Sequence, residues 1–200
     1  MENELLRYLR SSEALDPCED IYSMAVKVYN SSLVLSLTIL KRWYNAYKSI
    51  FWLSYCDNVL IGYLSAIPLS DKKFEELISN HQFDEKSIVE VDLQKEEISN
   101  FFVSSIVVDS SFRGKNVSRQ LRIEFLNYAL KIVQIRNDRL KVISVAGEAV
   151  NPKGEYMLQS LGLSYVKRGD NESSKLYHGV FDHHRLLRLR NALIEKMNVS

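Results

Sequence analysis

Residues 107–121, VVDSSFRGKNVSRQL, decide how this sequence is interpreted. An apolar run ends here in a short polar turn, and Arg113-Gly114-Lys115-Asn116 then leads directly into a segment with helical periodicity. A helix that follows a strand leaves several amide N–H groups at its start without intrahelical acceptors, and the helix dipole favours an anion there. The stretch therefore predicts either an anion-binding loop or an ordinary strand-to-helix turn with solvated basic residues.

The composition of this turn suits the close approach of a phosphate, because small residues leave room and Gly and Asn tolerate left-handed backbone geometry. The small residues are Gly114, Asn116 and Ser118, and the basic residues are Arg113, Lys115 and Arg119. The spacings G-x-x-x-x-G-K-[ST] and G-x-G-x-x-G do not occur at this stretch, so a nucleotide triphosphatase is not expected.

Helical and strand-like segments alternate on both sides of this stretch. The predicted elements are helices at 17–30 and 40–47, a hairpin around Asp57-Asn58, a helix at 70–79, a strand at 101–108, a helix ending near 136, a strand at 140–146, a helix at 151–161, strands at 163–166 and 176–181, and a terminal basic helix. Mixed strands with covering helices predict an α/β or α+β sandwich of about three layers.

Composition and charge narrow the class of protein. Lys and Arg total 26 against 25 Asp and Glu, so the basic excess that general nucleic-acid binding requires is missing. Two cysteines without metal-ligand spacing fit a reducing compartment. The amino terminus has no signal-peptide apolar core, and the apolar-rich run at 33–40 is too short to span a membrane. We expect a soluble, cytoplasmic protein without a metal ion, a nucleic-acid partner or a membrane partner.

The stretch at 107–121 also resembles the central motif of the GNAT superfamily of N-acetyltransferases, which use acetyl-CoA. The family pattern is a strand, then V-x-P-x-x-R/Q-G-x-G-x-G/A, then a helix. Val108 takes the valine position, and Arg113 and Gly114 open the loop. Asn116 and Ser118 stand where the family prefers glycine and glycine or alanine.

A second stretch, NPKGEYMLQSLGLSYV at 151–166, resembles another motif of this family, N-x-x-A/G-x-x-L-Y-x-x-x-G-F. The matching positions are Asn151, Gly154, Met157, Gly162 and Leu163. The order of elements also agrees with the family over roughly residues 16–181. The resemblance implies a single GNAT-like domain at 1–181, with a mixed, mostly antiparallel sheet flanked by helices, followed by a basic helical extension at 182–200.

The resemblance further implies which residues hold acetyl-CoA, the expected co-substrate. Backbone groups of the central strand would hold the pantetheine arm, the loop would hold the pyrophosphate, and Asn151 would add a contact from the second motif. The strand residues are Ile106, Val107 and Val108, and the loop residues are Arg113, Gly114, Lys115, Asn116, Val117, Ser118 and Arg119.

Two residues are candidates for catalysis. The family often has a tyrosine that protonates the leaving thiolate; Leu158 occupies that position, and Tyr156 is the candidate acid, with another group or solvent as alternatives. Transfer to an amine also needs a base, since an amine with a pKa of about 10.4 is mostly protonated at neutral pH. Glu148 is the candidate base. The alternatives, each otherwise a solvated or capping carboxylate, are Glu90, Asp92 and Glu97.

The expected activity is acetyl transfer from acetyl-CoA to a primary amine by direct attack in a ternary complex. The rival interpretation is an acyl-CoA-binding sensor or scaffold of the same fold without turnover. Residues 81–100 carry six acidic residues against two lysines, which favours either a solvated loop or a cationic acceptor. Small-molecule and peptide amines, and a homodimer, all stay open.

Overall fold

A computed structural model describes residues 6–10, 16–29, 34–79, 84–93, 96–134, 142–168 and 174–198. The helices are Cys18–Val28 (α1), Leu37–Ala46 (α2), Asp71–Ser79 (α3), Val117–Gln134 (α4), Pro152–Ser160 (α5) and His183–Asn198 (α6). The strands are Leu6–Arg10 (β1), Phe51–Cys56 (β2), Val59–Pro68 (β3), Asn100–Val108 (β4), Ile143–Ala149 (β5), Ser164–Arg168 (β6) and Lys175–Phe181 (β7). Short 3-10 helices lie at Glu85–Ser87, Glu90–Asp92 and Ser110–Phe112.

The chain forms two compact units, one of residues 1–65 and 105–125 and one of residues 66–104 and 126–200. Hydrogen-bonded strands follow the order β1-β2-β3-β4 in the first unit and β3-β4-β5-β7-β6 in the second, with β3 and β4 divided between the units. The pair β4/β5 is parallel, whereas β1/β2, β2/β3, β5/β7 and β6/β7 are antiparallel. The predicted mixed, mostly antiparallel sheet with flanking helices and a C-terminal helix is therefore confirmed.

The predicted hairpin of the first unit is confirmed as β2 and β3. Asp57 and Asn58 join the strands with φ of 49° and 65°, the left-handed geometry that two-residue hairpin turns require. The ring of Trp52, which belongs to β2, contacts the Phe125 ring of α4 edge to face, with the ring centroids 5.2 Å apart. This contact packs α4 against the strands that precede it in the chain.

The strand β1 is not among the elements predicted from the sequence. Its segment, LRYLR, is too short and too charged to give a strand signal by itself. It becomes a strand because it pairs along β2, from Leu6 opposite Cys56 to Arg10 opposite Trp52. Pairing with a distant strand is tertiary context, which a local pattern does not contain.

In the second unit, α5 packs closely on β5. The helix begins at Pro152, and Asn151 caps it, its Oδ1 accepting the Gly154 N–H at 2.9 Å. Gly147 of β5 permits the close packing, because an added Cβ there would lie 2.7 Å from the Leu158 Cδ2 atom.

Three further properties bear on the class of protein. Within the described ranges, no helix is long and apolar enough to cross a membrane. In the same residues, no three His, Cys, Asp or Glu side chains come together as a metal site would require. Cys18 and Cys56 are free thiols, and both are buried.

Candidate functional site

The end of β4 is fixed by hydrogen bonds from Asp109. Its N–H donates to the Ile61 carbonyl of β3 at 2.9 Å, and its side chain accepts the Ser111 N–H at 2.9 Å. The carboxylate thus caps the 3-10 helix Ser110–Phe112 and turns the chain out of the sheet. The predicted strand–loop–helix order at 107–121 is present, and the loop 113–119 lies between this cap and the first turn of α4.

Two residues of the loop have left-handed backbone geometry, with φ of 84° at Gly114 and 62° at Asn116. An added Cβ at Gly114 would meet nothing within 4 Å, so the dihedral angle and not crowding explains the glycine there. Asn is among the few other residues that adopt this geometry readily, which explains how Asn116 replaces a glycine.

The loop amides divide into two groups. Three of them donate to nearby backbone carbonyls, two of these in the preceding 3-10 helix: Arg113 to Ser110 (3.3 Å), Lys115 to Phe112 (3.2 Å) and Arg119 to Asn116 (3.0 Å). For four other N–H groups no acceptor is found among the described residues, and these belong to Gly114, Asn116, Val117 and Ser118. Four free donors at the positive end of α4 suit an anion. Phosphate binding by the individual residues stays a prediction.

Positive charge surrounds these donors. Arg113 and Lys115 are exposed, and the Lys115 Nζ lies 4.7 Å from the centroid of the Phe112 ring. Arg122 was not among the predicted residues; it is only 5% exposed, and its Nε donates to the Ser118 carbonyl at 3.0 Å. This guanidinium is buried one turn into the helix, where it adds to the positive potential of the loop.

Gly62 of β3 allows the start of α4 to approach the strands. An added Cβ at this position would lie 3.0 Å from the Val107 carbonyl oxygen and 3.0 Å from the Val117 Cγ1 atom. Val117 is the first residue of α4 and is 1% exposed. The position of the four free amides therefore depends on the missing side chain at Gly62.

We expect Gly62→Ala to lower the free energy of unfolding by about 1–3 kcal/mol, because the added methyl group overpacks the contact between β3, β4 and α4. Urea denaturation measures the change. Gly154→Ala in α5 is the matched control, since the nearest atom to its added Cβ is 3.3 Å away and alanine favours a helix. Equal effects of the two substitutions would contradict the packing argument.

A second group of polar residues lies in the second unit, where the pairing of β4 with β5 ends. The parallel register runs from Asn100 opposite Ser144 to Val103 opposite Gly147. Glu148 follows Gly147 on β5, and the buried Ser174 Oγ donates to its Oε1. The structure thus holds the carboxylate of the predicted base with a hydroxyl from the start of β7.

A second carboxyl group, that of Glu85, belongs to the same group of polar residues as Glu148 and as Ser104 of β4. It lies in the 3-10 helix Glu85–Ser87, and its Oε1 is buried with no hydrogen-bond partner among the described residues. Burial first of all, and then the negative charges of Glu148 and Asp84, raise its pKa to about 7, against a hydrogen bond to Ser104. Glu85 is not among the bases predicted from the sequence. The acidic character of 81–100 indicates such a residue, but it does not select one.

The alternative bases have other surroundings. Glu90 and Glu97 are exposed, and the Asp92 Oδ2 accepts the Val89 N–H at 2.8 Å as a cap of the 3-10 helix Glu90–Asp92. Capping accounts for Asp92 without a catalytic role.

Tyr156 and Leu158 have opposite environments on α5. The Tyr156 side chain is 65% exposed, whereas Leu158 is 4% exposed and covers Gly147. A further tyrosine, Tyr177 of β7, donates to the Glu155 Oε2 at 2.7 Å, and burial followed by this bond raises its pKa to about 12. Tyr177 therefore holds α5 on β7 as a protonated hydroxyl. The role of Tyr156 as an acid stays a prediction.

No family model and no curated protein matches the sequence. Solved structures do match. One is the loading GNATL domain of CurA from Lyngbya majuscula, with a TM-score of 0.64 and 10% identity over 92% of this chain and 99% of that chain. Another is NAA60 of Arabidopsis thaliana in complex with acetyl-CoA, with a TM-score of 0.57 and 13% identity over 89% and 99%.

A third match is the GphF GNAT-like decarboxylase in complex with isobutyryl-CoA, with a TM-score of 0.58 and 10% identity over 87% of this chain and 97% of that chain. All three alignments cover most of both chains, so the likeness extends across both compact units. At this level of identity the likeness concerns the fold. The chain has the GNAT fold.

Proposed function

We propose that the protein is an acyl-CoA-dependent acyltransferase that moves an acetyl group to a primary amine by direct attack. The observation that carries this proposal is the loop 113–119, where four free amides and two left-handed residues lie at the start of α4. Such a loop on a GNAT fold suits the pyrophosphate of a coenzyme. The proposal takes residues 1–181 as the acyltransferase domain and 182–200 as its extension.

The C-terminal end of β4 is the proposed binding site for the pantetheine arm of the coenzyme. The register with β5 ends at Val103, which leaves the following β4 residues outside that ladder. Backbone groups at Ile106, Val107 and Val108 would then pair with the amide groups of a pantetheine arm. Acetyl-CoA and isobutyryl-CoA in the two matching structures support an acyl-CoA of short chain as the donor.

Acetyl transfer to an amine requires removal of a proton from the ammonium form. Glu148 is the proposed base, and the Ser174 hydroxyl orients its carboxylate. Tyr156 is the proposed acid for the leaving thiolate, with solvent as the alternative because this side chain is largely exposed. Asn151 caps α5, and a contact with the coenzyme would be additional to that role.

A binding module without turnover is the second candidate. The buried Leu158 at the position of the family tyrosine favours it, since this residue packs on Gly147 and has no proton to give. One of the matching structures is described as a decarboxylase and another as a loading domain, so the fold also serves other acyl chemistry.

Release of free CoA thiol from acetyl-CoA separates the two candidates. We expect amine-dependent release with at least one class in a panel of diamines, aminosugars, amino acids and peptide amino termini, and about 100-fold slower release with Glu148→Gln. The control is Glu75→Gln, which removes an exposed carboxylate of α3. Binding of acetyl-CoA without release above the buffer rate for every amine would favour the sensor.

A further inference from the structure

Several polar side chains lie in the second unit, and some of their buried atoms have no hydrogen-bond partner among the described residues. Glu148 shares a face of β5 with Ala146, and Ala146 lies opposite His178 of β7 in the register. The His178 Nε2 and the Glu85 Oε1 are buried, and neither has a hydrogen-bond partner within the part of the chain that the structure describes. Burial, and then the charge of Arg185, lowers the pKa of His178 and so favours the neutral ring.

Among these groups, Glu85 is the carboxyl group whose charged form the folded protein disfavours. Its Oε1 atom is buried and has no hydrogen-bond partner among the described residues, and the negative charge of Glu148 is near enough to disfavour its ionised form. Among the charges of the described residues near it, those of Glu148 and Asp84 oppose its ionisation, and that of Lys86 favours it. A buried polar atom without a partner destabilises the fold and calls for an explanation, and completion by a bound ligand is one such explanation.

We propose that Glu85 and Glu148 together bind the ammonium group of a cationic acceptor, so that diamines are accepted and amines with an adjacent carboxylate are excluded. This inference rests on the proposed acetyltransferase function. An ammonium group has three N–H donors, which suit two carboxyl groups and the Ser104 hydroxyl. A divalent cation fits less well, since Ca²⁺ takes six to eight oxygen ligands and Mg²⁺ six.

The ammonium group loses two protons when it is acetylated, and the carboxylate pair accepts the first of them. One proton passes from the ammonium nitrogen to the carboxylate of Glu148, the proposed base, and then to solvent. The neutral nitrogen forms the new C–N bond as the C–S bond breaks, and the second nitrogen proton ends on the sulfur of the released thiol. The Glu85 carboxylate, which is charged above about pH 7, lies beside the nitrogen and stabilises its positive charge.

The test is calorimetric titration of 1,4-diaminobutane into the full chain saturated with CoA, at pH 6 and pH 8. Because Glu85 is charged only above about pH 7, we expect the diamine to bind about tenfold more tightly at pH 8. Glu85→Gln should weaken binding at pH 8 about tenfold and remove the difference between the two pH values. Glu75→Gln, an exposed carboxylate on α3, should bind as the wild type does.

The excluded class is tested with 3-aminopropanoate, for which we expect no heat. Equal binding of 3-aminopropanoate and the diamine, unchanged affinity in Glu85→Gln, or no binding of the diamine would each overturn the inference. A parallel titration of CoA into Glu85→Gln should match the wild type. If the wild type does not bind CoA, that result counts against the proposed function. The diamine is then titrated into the protein without CoA, and the same outcomes decide the inference.

Discussion

Glu85→Gln is expected to stabilise the protein by about 3 kcal/mol at pH 8.5 and by less than about 1 kcal/mol at pH 5. The pKa of this carboxyl group rises from 4.5 to about 7 on folding, so the folded state disfavours the charged form. The free energy of unfolding of the wild type is therefore least reduced by Glu85 below pH 4.5, and it falls as the pH rises from there through 7. Glutamine carries no charge at any pH, so the substitution removes this loss.

Urea denaturation of both proteins at the two pH values measures the effect. Glu75→Gln is the matched control and should change the stability by less than about 0.5 kcal/mol at either pH, because its side chain is exposed. A gain of equal size at pH 5 and pH 8.5 would show that packing and not charge is responsible. A loss of stability at pH 8.5 would contradict the assignment of Glu85 as a buried, destabilised acid.

Reversing the charge of two loop residues, Arg113→Glu with Arg119→Glu, should weaken CoA binding by about 100-fold or more. Two charge-assisted contacts at about 1.5 kcal/mol each correspond to that factor. The repulsion between the new carboxylates and the pyrophosphate adds to it. Calorimetry with CoA measures the loss of affinity in the variant. The same titration with dephospho-CoA shows whether this loss persists when the ribose phosphate is absent.

The control for this variant is Arg188→Glu with Lys196→Glu, which makes the same change of net charge at two exposed positions of α6. It should leave CoA affinity within a factor of about two. Equal losses in both variants would indicate a general electrostatic effect. Unchanged affinity in the loop variant would mean that the loop 113–119 does not hold the phosphates.

The loop was predictable because its signals are local. Left-handed geometry at Gly114 and Asn116 and the hairpin turn at Asp57-Asn58 both follow from residue types at short spacing. The core strand β4 and the helix α4 were equally visible, since their apolar periodicities are long. These features required no knowledge of distant contacts.

The surroundings of the proposed acidic site were only partly predictable, because they depend on contacts between distant segments. Glu148 stood out beside a predicted strand, whereas Glu85 lay in an acidic stretch without periodicity. Its environment arises when the 3-10 helix Glu85–Ser87 brings it beside Ser104 and Glu148. Likewise, β1 forms through pairing with β2, and the burial of Leu158 depends on Gly147. Local sequence patterns do not contain such information.

The most direct test of the central claim is the calorimetric titration of acetyl-CoA into the wild-type protein. The four free amides and the cations of the loop 113–119 predict one binding site per chain with a micromolar Kd, accompanied by a rise in the melting temperature. Binding heat that disappears in the Arg113→Glu, Arg119→Glu variant is the expected result. No heat and no thermal shift at millimolar acetyl-CoA would contradict the account.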